Sequence, residues 1–305
     1  MVLSSQEVKE AAKMAGFSRC GVARAQSLAD ARGRFEQALK DQRHADMLFL
    51  EREVEKRFNP ALLLDGCQSV VVLLYNYRIA DTPASDRYRT ARYTWIEEDY
   101  HTLLKRLATK VVDTIQIQHP DVHCRVTVDG SCISEKNWAQ RAGVGCYGKN
   151  GLIHNDDGSF FLIATILLDA EFDAYDEESA SDCGDCHRCI DACPAKAITA
   201  PYQVDARKCF SYQTVENKTP EDETIKRAPL LFGCDVCQEV CPRNNKNVTQ
   251  PTNNPKTSLF LHLQNQQYES LTKEDFKRYF GNTAIARRKY DRFMRAIRIK
   301  NKESF

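Results

Sequence analysis

Eight of the chain's thirteen cysteines fall between Cys183 and Cys241, in two runs with one between. The first run is Cys183-Gly-Asp-Cys186-His-Arg-Cys189-Ile-Asp-Ala-Cys193-Pro194. Cys209 stands alone, and the second run is Cys234-Asp-Val-Cys237-Gln-Glu-Val-Cys241-Pro242. The C-x₂-C-x₂-C-x₃-C-P spacing is that of bacterial proteins with two iron–sulfur clusters. In that spacing three thiolates wrap one cube and the fourth crosses to the other cluster. It assigns Cys183, Cys186, Cys189 and Cys241 to one [4Fe–4S] cluster, and Cys193, Cys209, Cys234 and Cys237 to a second. Crossed ligation predicts clusters close enough to exchange electrons. C-x₂-C pairs also build structural zinc sites, but zinc ribbons do not call for the longer run.

The rest of the chain must use those electrons. At 305 residues there is room for a main domain of roughly 200 residues and a smaller one. The start, Met1-Val-Leu-Ser-Ser-Gln-Glu, has neither the basic nor the apolar region of a signal peptide, and no apolar run reaches the length of a membrane span. The expectation is a soluble, cytoplasmic protein whose thiols stay reduced, with Cys20, Cys67, Cys124, Cys132 and Cys146 buried or inert. The net charge of +1 says nothing of a polyanionic partner. Between Lys273 and Lys302, however, eleven Lys and Arg face three acids. Such a run is either a solvated helix face or a footprint for a phosphate backbone.

In the first 180 residues the most pointed acid is Asp129. It directly follows the strand-like Arg125-Val-Thr-Val128, at the edge where open sheets place ligands. Gly130 then permits close backbone approach. An Asp there is equally a turn former. Downstream, Ala142-Gly-Val-Gly-Cys-Tyr-Gly148-Lys149-Asn150-Gly151 is a glycine-rich loop with a lysine able to reach a phosphate or an amide. An ordinary turn fits it as well. No dinucleotide or P-loop signature is present.

Positioning these groups falls to layered elements. Ser4-x-x-Glu7 reads as a capping box, opening a helix that Gly16 ends. Cys20–Ala23 reads as a short strand. Ser69–Tyr75 and Phe160–Leu168 read as buried strands, Cys124–Val128 as another strand, and Glu98–Gln118 and Ser134–Ala142 as helices. Residues 81–92 read as an exposed loop, and Asn244–Asn254 as a linker. A cap at Ser270–Thr272 opens a helix in the tail.

Several segments resemble the epoxyqueuosine reductase family. They are Asp205-Ala-Arg-Lys-Cys209-Phe-Ser211-Tyr212, Gly233 to Pro242, Cys183 to Pro201, Arg92-Tyr93 with Asp99-Tyr100-His101, and Val128-Asp129 followed by Ala142-Gly-x-Gly-x-x-Gly-Lys149-Asn150. The likeness covers nearly the whole chain. It implies an α+β or α/β fold: a nitroreductase-like cobalamin-binding domain (1–180), a ferredoxin-like domain with two [4Fe–4S] clusters (181–250) and a helical basic tail (251–305). It implies reduction of epoxyqueuosine to queuosine at the wobble position of tRNA, with cobalamin recharged by the clusters. The partners implied are tRNA and an unidentified low-potential electron donor, with no membrane. By position, Asp129 corresponds to the family's proton donor. Arg57, in Lys56-Arg-Phe-Asn-Pro60, corresponds to a cobalamin contact, and Lys149, Ser211 and Asp235 would also face the corrin. For tRNA, Lys218, Arg287, Arg288 and Arg292 are the candidates.

An Asp with a pKa of about 3.9 is a weak proton source at neutral pH, so burial against the corrin is expected to raise it. Where many members have Val-Asp-Ser-Ala-Pro-Val-x-Glu, this chain has Val128-Asp-Gly-Ser-Cys132-Ile-Ser-Glu135, and Cys146 stands where an aromatic is common. Longer members carry a helical-repeat extension, and ending at Phe305 the chain is expected to be a short form. A corrinoid reductive dehalogenase relative and a plain iron–sulfur electron carrier are the competing readings.

Overall fold

The structure, a computed structural model, describes residues 2–79, 82–130, 132–180, 182–244 and 255–302. Its centre is a four-stranded sheet of β2 (Arg19–Arg24), β3 (Ser69–Asn76), β7 (Phe161–Leu168) and β4 (Cys124–Val128), in the order β2-β3-β7-β4. Every pairing in it is antiparallel, so the domain is of the α+β kind. Two-residue strands flank it: β1 (Val2–Leu3) pairs with β8 (Glu171–Phe172), and β5 (Cys146–Tyr147) with β6 (Ile153–His154). In the cluster module, β9 (Ile198–Ala200) pairs with β10 (Gln203–Val204).

β3 is buried along its whole length, because both its edges are paired and both its faces are covered. Alternate residues point to opposite faces of a strand, and here they feed two cores. Val71, Leu73 and Tyr75 join the core that includes residues of α1 (Ser5–Ala15) and α4 (Tyr100–Gln118). Val70, Val72 and Leu74 join the other, with Phe58 of α3 (Val54–Phe58), Ala31 of α2 (Ala29–Lys40) and Trp138 of α5 (Glu135–Arg141). Helix boundaries follow their caps. Ser4 accepts from the Glu7 N–H, and Gly16, at φ 101°, ends α1 in the left-handed region that favours glycine. Asp99 caps α4.

The cluster module carries α6 (Arg188–Ala192), α7 (Phe210–Val215), α8 (Asp222–Arg227) and α9 (Val236–Glu239). The tail carries α10 (Asn265–Glu269), α11 (Lys273–Phe280) and α12 (Tyr290–Asn301). The tail is no loose appendage. Phe260, Phe276, Phe280, Phe293 and Ile297 belong to the same core as Leu3 and Leu104. Its backbone also straps the 95–99 segment, with Ser258 N–H donating to Trp95 O, Glu97 N–H to Lys256 O and Asp99 N–H to Asn282 O. The start of α4 is thus fixed from the far end of the chain.

Two loop expectations change. Within 82–92, Ser85, Tyr88 and Thr90 are buried, because the Tyr88 ring packs beside Tyr268 and its hydroxyl donates to Glu269. Asn244 is not linker: it is buried, accepts from Ser159 N–H and donates to Gln238 O. The rest of the expected linker, 245–254, lies outside the described residues. Among the described residues no helix is long and apolar enough to cross a membrane.

Candidate active site and cluster ligands

Asp129 leaves β4 in a sharp turn, with φ 39° there and 33° at Gly130. A non-glycine residue in this region needs local support. It comes from Glu135, whose Oε1 accepts from Asp129 N–H at 2.7 Å, and from Asp129 itself, whose Oδ1 accepts from Gly130 N–H at 2.8 Å. The other carboxylate oxygen faces two donors. Tyr100 Oη donates to Oδ2, and His101 Nε2 lies 3.3 Å from it. His101 Nδ1 is 2.7 Å from Asp99 Oδ1. Both ring nitrogens face a carboxylate, which only the doubly protonated imidazolium satisfies.

The electrostatics follow from this geometry. Burial raises the Asp129 carboxyl, but the donors from His101 and then Tyr100 outweigh it and hold it well below the usual carboxylate range. His101 is pushed up to about 9 by its bonds to Asp129 and Asp99. Glu135 is pushed up to about 8 by burial and then by the Asp129 charge. The expectation that burial makes Asp129 a neutral acid therefore fails in the protein alone. The site's protons reside on His101 and Glu135.

Arg57, on α3, is 6% exposed; its Nη2 donates to Phe49 O, and its Nε has no partner among the described residues. Its carbonyl accepts from Ser134 N–H, which ties α3 to the loop after Asp129. Cys132 donates to Glu53 at the start of α3. A few residues before Arg57, Leu48 and Phe49 are exposed apolar side chains. A cavity of about 450 Å³ lies on the seam between the 42–51 segment and α7, lined by His44, Asp46, Leu48, Glu51, Tyr212 and Gln213 among others.

All thirteen thiols are free, and several of the eight candidate ligands feel one another electrostatically. Burial raises Cys189, followed by repulsion from Cys183, Cys186 and Cys241. Cys241 in turn feels Cys183 and Cys186. Cys234 feels Cys209 and Cys193 after burial, and Cys237 feels Cys234 and Cys209. Cys189 also reaches Cys237 electrostatically, so the thiols influence one another across both expected sets.

Other expected residues are placed less evenly. Lys149, expected at the corrin, instead donates to Gly184 O at 2.5 Å and Cys186 O at 3.0 Å, inside the first cysteine loop. The glycines around it make room for protein atoms. A Cβ on Gly148 would lie 2.9 Å from Asn150 Oδ1, and one on Gly143 2.5 Å from Glu177 O. Asp235 is buried and accepts from Arg92 N–H at 2.7 Å; burial pushes it up to about 6. Ser211 is half-buried at the start of α7.

Arg288 is corrected. It is 2% exposed and donates to Thr214 O, because the turn at Ala284–Arg288 rolls it inward, so it cannot touch tRNA. Lys218 and Arg287 are exposed and Arg292 is half-buried. The residues that motif reading leaves without a role are Tyr100, His101, Glu135, Asn150 and His154. The Asp-Tyr-His run is visible as a motif, but its meeting with Asp129 is a tertiary contact.

A family model described as epoxyqueuosine reductase QueG, DUF1730, matches residues 57–130, and one for a 4Fe-4S double cluster binding domain matches 182–244. The first match runs from Arg57 to the Asp129 turn. An epoxyqueuosine reductase of Cellulophaga algicola is 36% identical over 96% of this chain and 96% of its own. The chain belongs to the epoxyqueuosine reductase family. It is accordingly an oxidoreductase. A crystal structure of an epoxyqueuosine reductase with an epoxyqueuosine-modified tRNA stem loop matches with a TM-score of 0.85 and 28% identity, over 97% of this chain and 80% of that one. A reductive dehalogenase described as B12-dependent matches with a TM-score of 0.51 and 13% identity, over 79% of this chain and 32% of that one; this likeness is of fold alone.

The seam between the two domains suits a cofactor rich in amides. Arg43 Nε, His44 Nδ1, Arg57 Nε and Arg92 Nε are each buried without a partner among the described residues, and His44 lines the seam cavity. Buried polar groups are normally satisfied, and the amide oxygens of a corrin are suitable acceptors. The exposed Leu48 and Phe49 add apolar surface beside them.

Proposed function

We propose that this chain reduces epoxyqueuosine to queuosine at the wobble base of tRNA in the cytoplasm, the last step of queuosine formation. It holds a cobalamin and two [4Fe–4S] clusters and takes its electrons from a low-potential donor. The observation that carries the reading is the proton-holding group at Asp129, on a chain whose residues 182–244 match a 4Fe-4S double cluster binding domain. Cobalamin, when bound, supplies reducing equivalents at the substrate carbon. Arg57, Ser211 and Asp235 are the residues proposed to hold it, with Arg43, His44 and Arg92 along the same seam.

Loss of the epoxide oxygen as water breaks two C–O bonds, leaves a C=C bond, and consumes two electrons and two protons. The departing oxygen must be protonated by a group within hydrogen-bond reach. Asp129 is half-exposed and available to a substrate. Being ionised, it acts as a carrier: His101 gives up its Nε2 proton, Asp129 passes it to the oxygen while Asp99 holds the imidazole in place, and the second proton comes from solvent that recharges His101. The Tyr100 hydroxyl, hydrogen-bonded to the same carboxylate oxygen, fixes the rotamer. Arg287 sits close enough to Tyr100 and Asp99 to lower their pKa values. Together with Lys218 and Arg292 it forms the proposed phosphate-contacting rim.

The test is anaerobic reconstitution with iron, sulfide and cobalamin, followed by assay on tRNA bearing epoxyqueuosine. Conversion by wild type and a loss of roughly 10²–10⁴-fold in Asp129→Ala are expected. No conversion by the loaded wild type refutes the function; full activity of Asp129→Ala refutes the proton role alone.

A further inference from the structure

The hairpin β5–β6 is given no role on the substrate side, yet two of its side chains reach the cysteine module. His154 is 4% exposed and its Nε2 lies 3.4 Å from Cys183 Sγ. Its Nδ1 is buried without a partner among the described residues. A cluster thiolate only accepts, so Nε2 carries the hydrogen and Nδ1 is left as a bare acceptor, the less costly atom to leave unmatched. Lys149 Nζ donates to the carbonyls of Gly184 and Cys186, which places a positive charge within the loop that wraps the same cluster. The Asn150 side chain accepts from Leu152 N–H through Oδ1 at 3.2 Å.

The sequence provides for this arrangement at Gly148. A Cβ there would press on Asn150 Oδ1 at 2.9 Å and on the His154 ring at 3.1 Å. The tight loop is closed by Gly148 N–H to Leu152 O at 2.7 Å, and Lys136 Nζ braces it from α5 through Gly151 O. The hairpin is therefore a braced platform from which His154 is aimed at a cysteine sulfur and Lys149 at the backbone that carries it. Hydrogen bonds to cluster sulfurs and nearby positive charge favour the reduced cluster, which carries one more negative charge.

We infer that the β5–β6 hairpin sets the reduction potential of the iron–sulfur cluster that Cys183 and Cys186 serve, with His154 and Lys149 as positioning residues. The hairpin raises that cluster's potential with both a hydrogen bond and a charge. This requires the two clusters but not the substrate assignment.

The test is a redox titration followed by electron paramagnetic resonance on the full chain, reconstituted with iron and sulfide and without cobalamin or tRNA. His154→Phe keeps the ring and removes the donor; His154→Gln keeps an N–H at the Nε2 position. The expected result is full iron content in both, a midpoint shifted to more negative potential for one of the two clusters in His154→Phe, and a return toward wild type in His154→Gln. Lys149→Met should shift the same cluster in the same direction, and Lys149→Arg should not. Unchanged midpoints in both His154→Phe and Lys149→Met overturn the inference. Loss of iron in His154→Phe and His154→Gln alike, with no shift in Lys149→Met, also overturns it, because the histidine would then serve packing only. Failure to convert epoxyqueuosine would leave these potentials untouched, so the two readings fall separately.

Discussion

His101 stands between two carboxylates, its Nδ1 2.7 Å from Asp99 and its Nε2 3.3 Å from Asp129. The protein thereby stores a proton beside an ionised carboxylate instead of on it.

The first prediction concerns pH and stability. The folded pKa of His101 is raised to about 9, from about 6.5 in a free chain. Its ion pairs stabilise the fold fully below about pH 6.5, and that contribution is lost as pH rises through about 9. Wild type should therefore lose melting temperature relative to His101→Gln between those limits. Parallel melting curves across that range would exclude a charged His101.

Activity should follow the same proton. Conversion of epoxyqueuosine tRNA by wild type is expected to fall above about pH 9, and His101→Gln should lower kcat by about 10-fold or more and abolish that limb. An unchanged alkaline limb in the variant would assign it to another group.

Glu135 offers a contrasting case. Its folded pKa is raised to about 8, so ionising it costs stability progressively as pH rises from its ordinary value to about 8. Glu135→Gln should keep the acceptor for Asp129 N–H and become more stable relative to wild type over that window. Glu135→Ala should instead release the Asp129 turn and lower activity at all pH values. Equal behaviour of the two variants would show that the bond to Asp129 N–H is unimportant.

Arg287 and Arg288 are neighbours with opposite expected phenotypes. Arg288→Ala removes a buried donor from Thr214 O and should cost about 2–4 kcal/mol of stability, read by denaturant titration. Arg287→Glu should leave stability within about 0.5 kcal/mol, weaken tRNA binding and flatten its salt dependence. A salt slope equal to wild type would remove Arg287 from the interface.

Gly148→Ala should cost about 1–3 kcal/mol through overpacking and lower the iron retained per chain, because both Asn150 and His154 must move. Full iron content with unchanged stability would show that the hairpin yields more readily than its contacts suggest.

The sequence is most readable where chemistry is local. Ligand spacing around a cube is fixed over a few residues, so a double-cluster segment is legible from the cysteine spacing, and the matching family model covers the same 182–244 stretch. The strand–Asp129–Gly130 turn is legible too, as are α1 and α4 from their caps. What escapes is the direction of side chains across domains. A lysine in a glycine loop can face a cofactor or a neighbouring module with the same sequence, and Lys149 faces the module. Arg288 sits in a run of cations that reads as surface, but the tail's aromatic residues turn that segment into the core. His101 reaches Asp129 only because backbone bonds from Lys256, Ser258 and Asn282 fix the segment ahead of α4, and no local pattern reports that.

The shared core of Leu3, Leu104, Phe280 and Ile297 bears on how the protein is made. Translation delivers all eight ligand thiols before the 260–299 segment that completes this core. The core begun by the first residues is therefore closed only by the last-made segment, so a chain cut short before residue 260 would lack one wall of the core that holds α1 and α4.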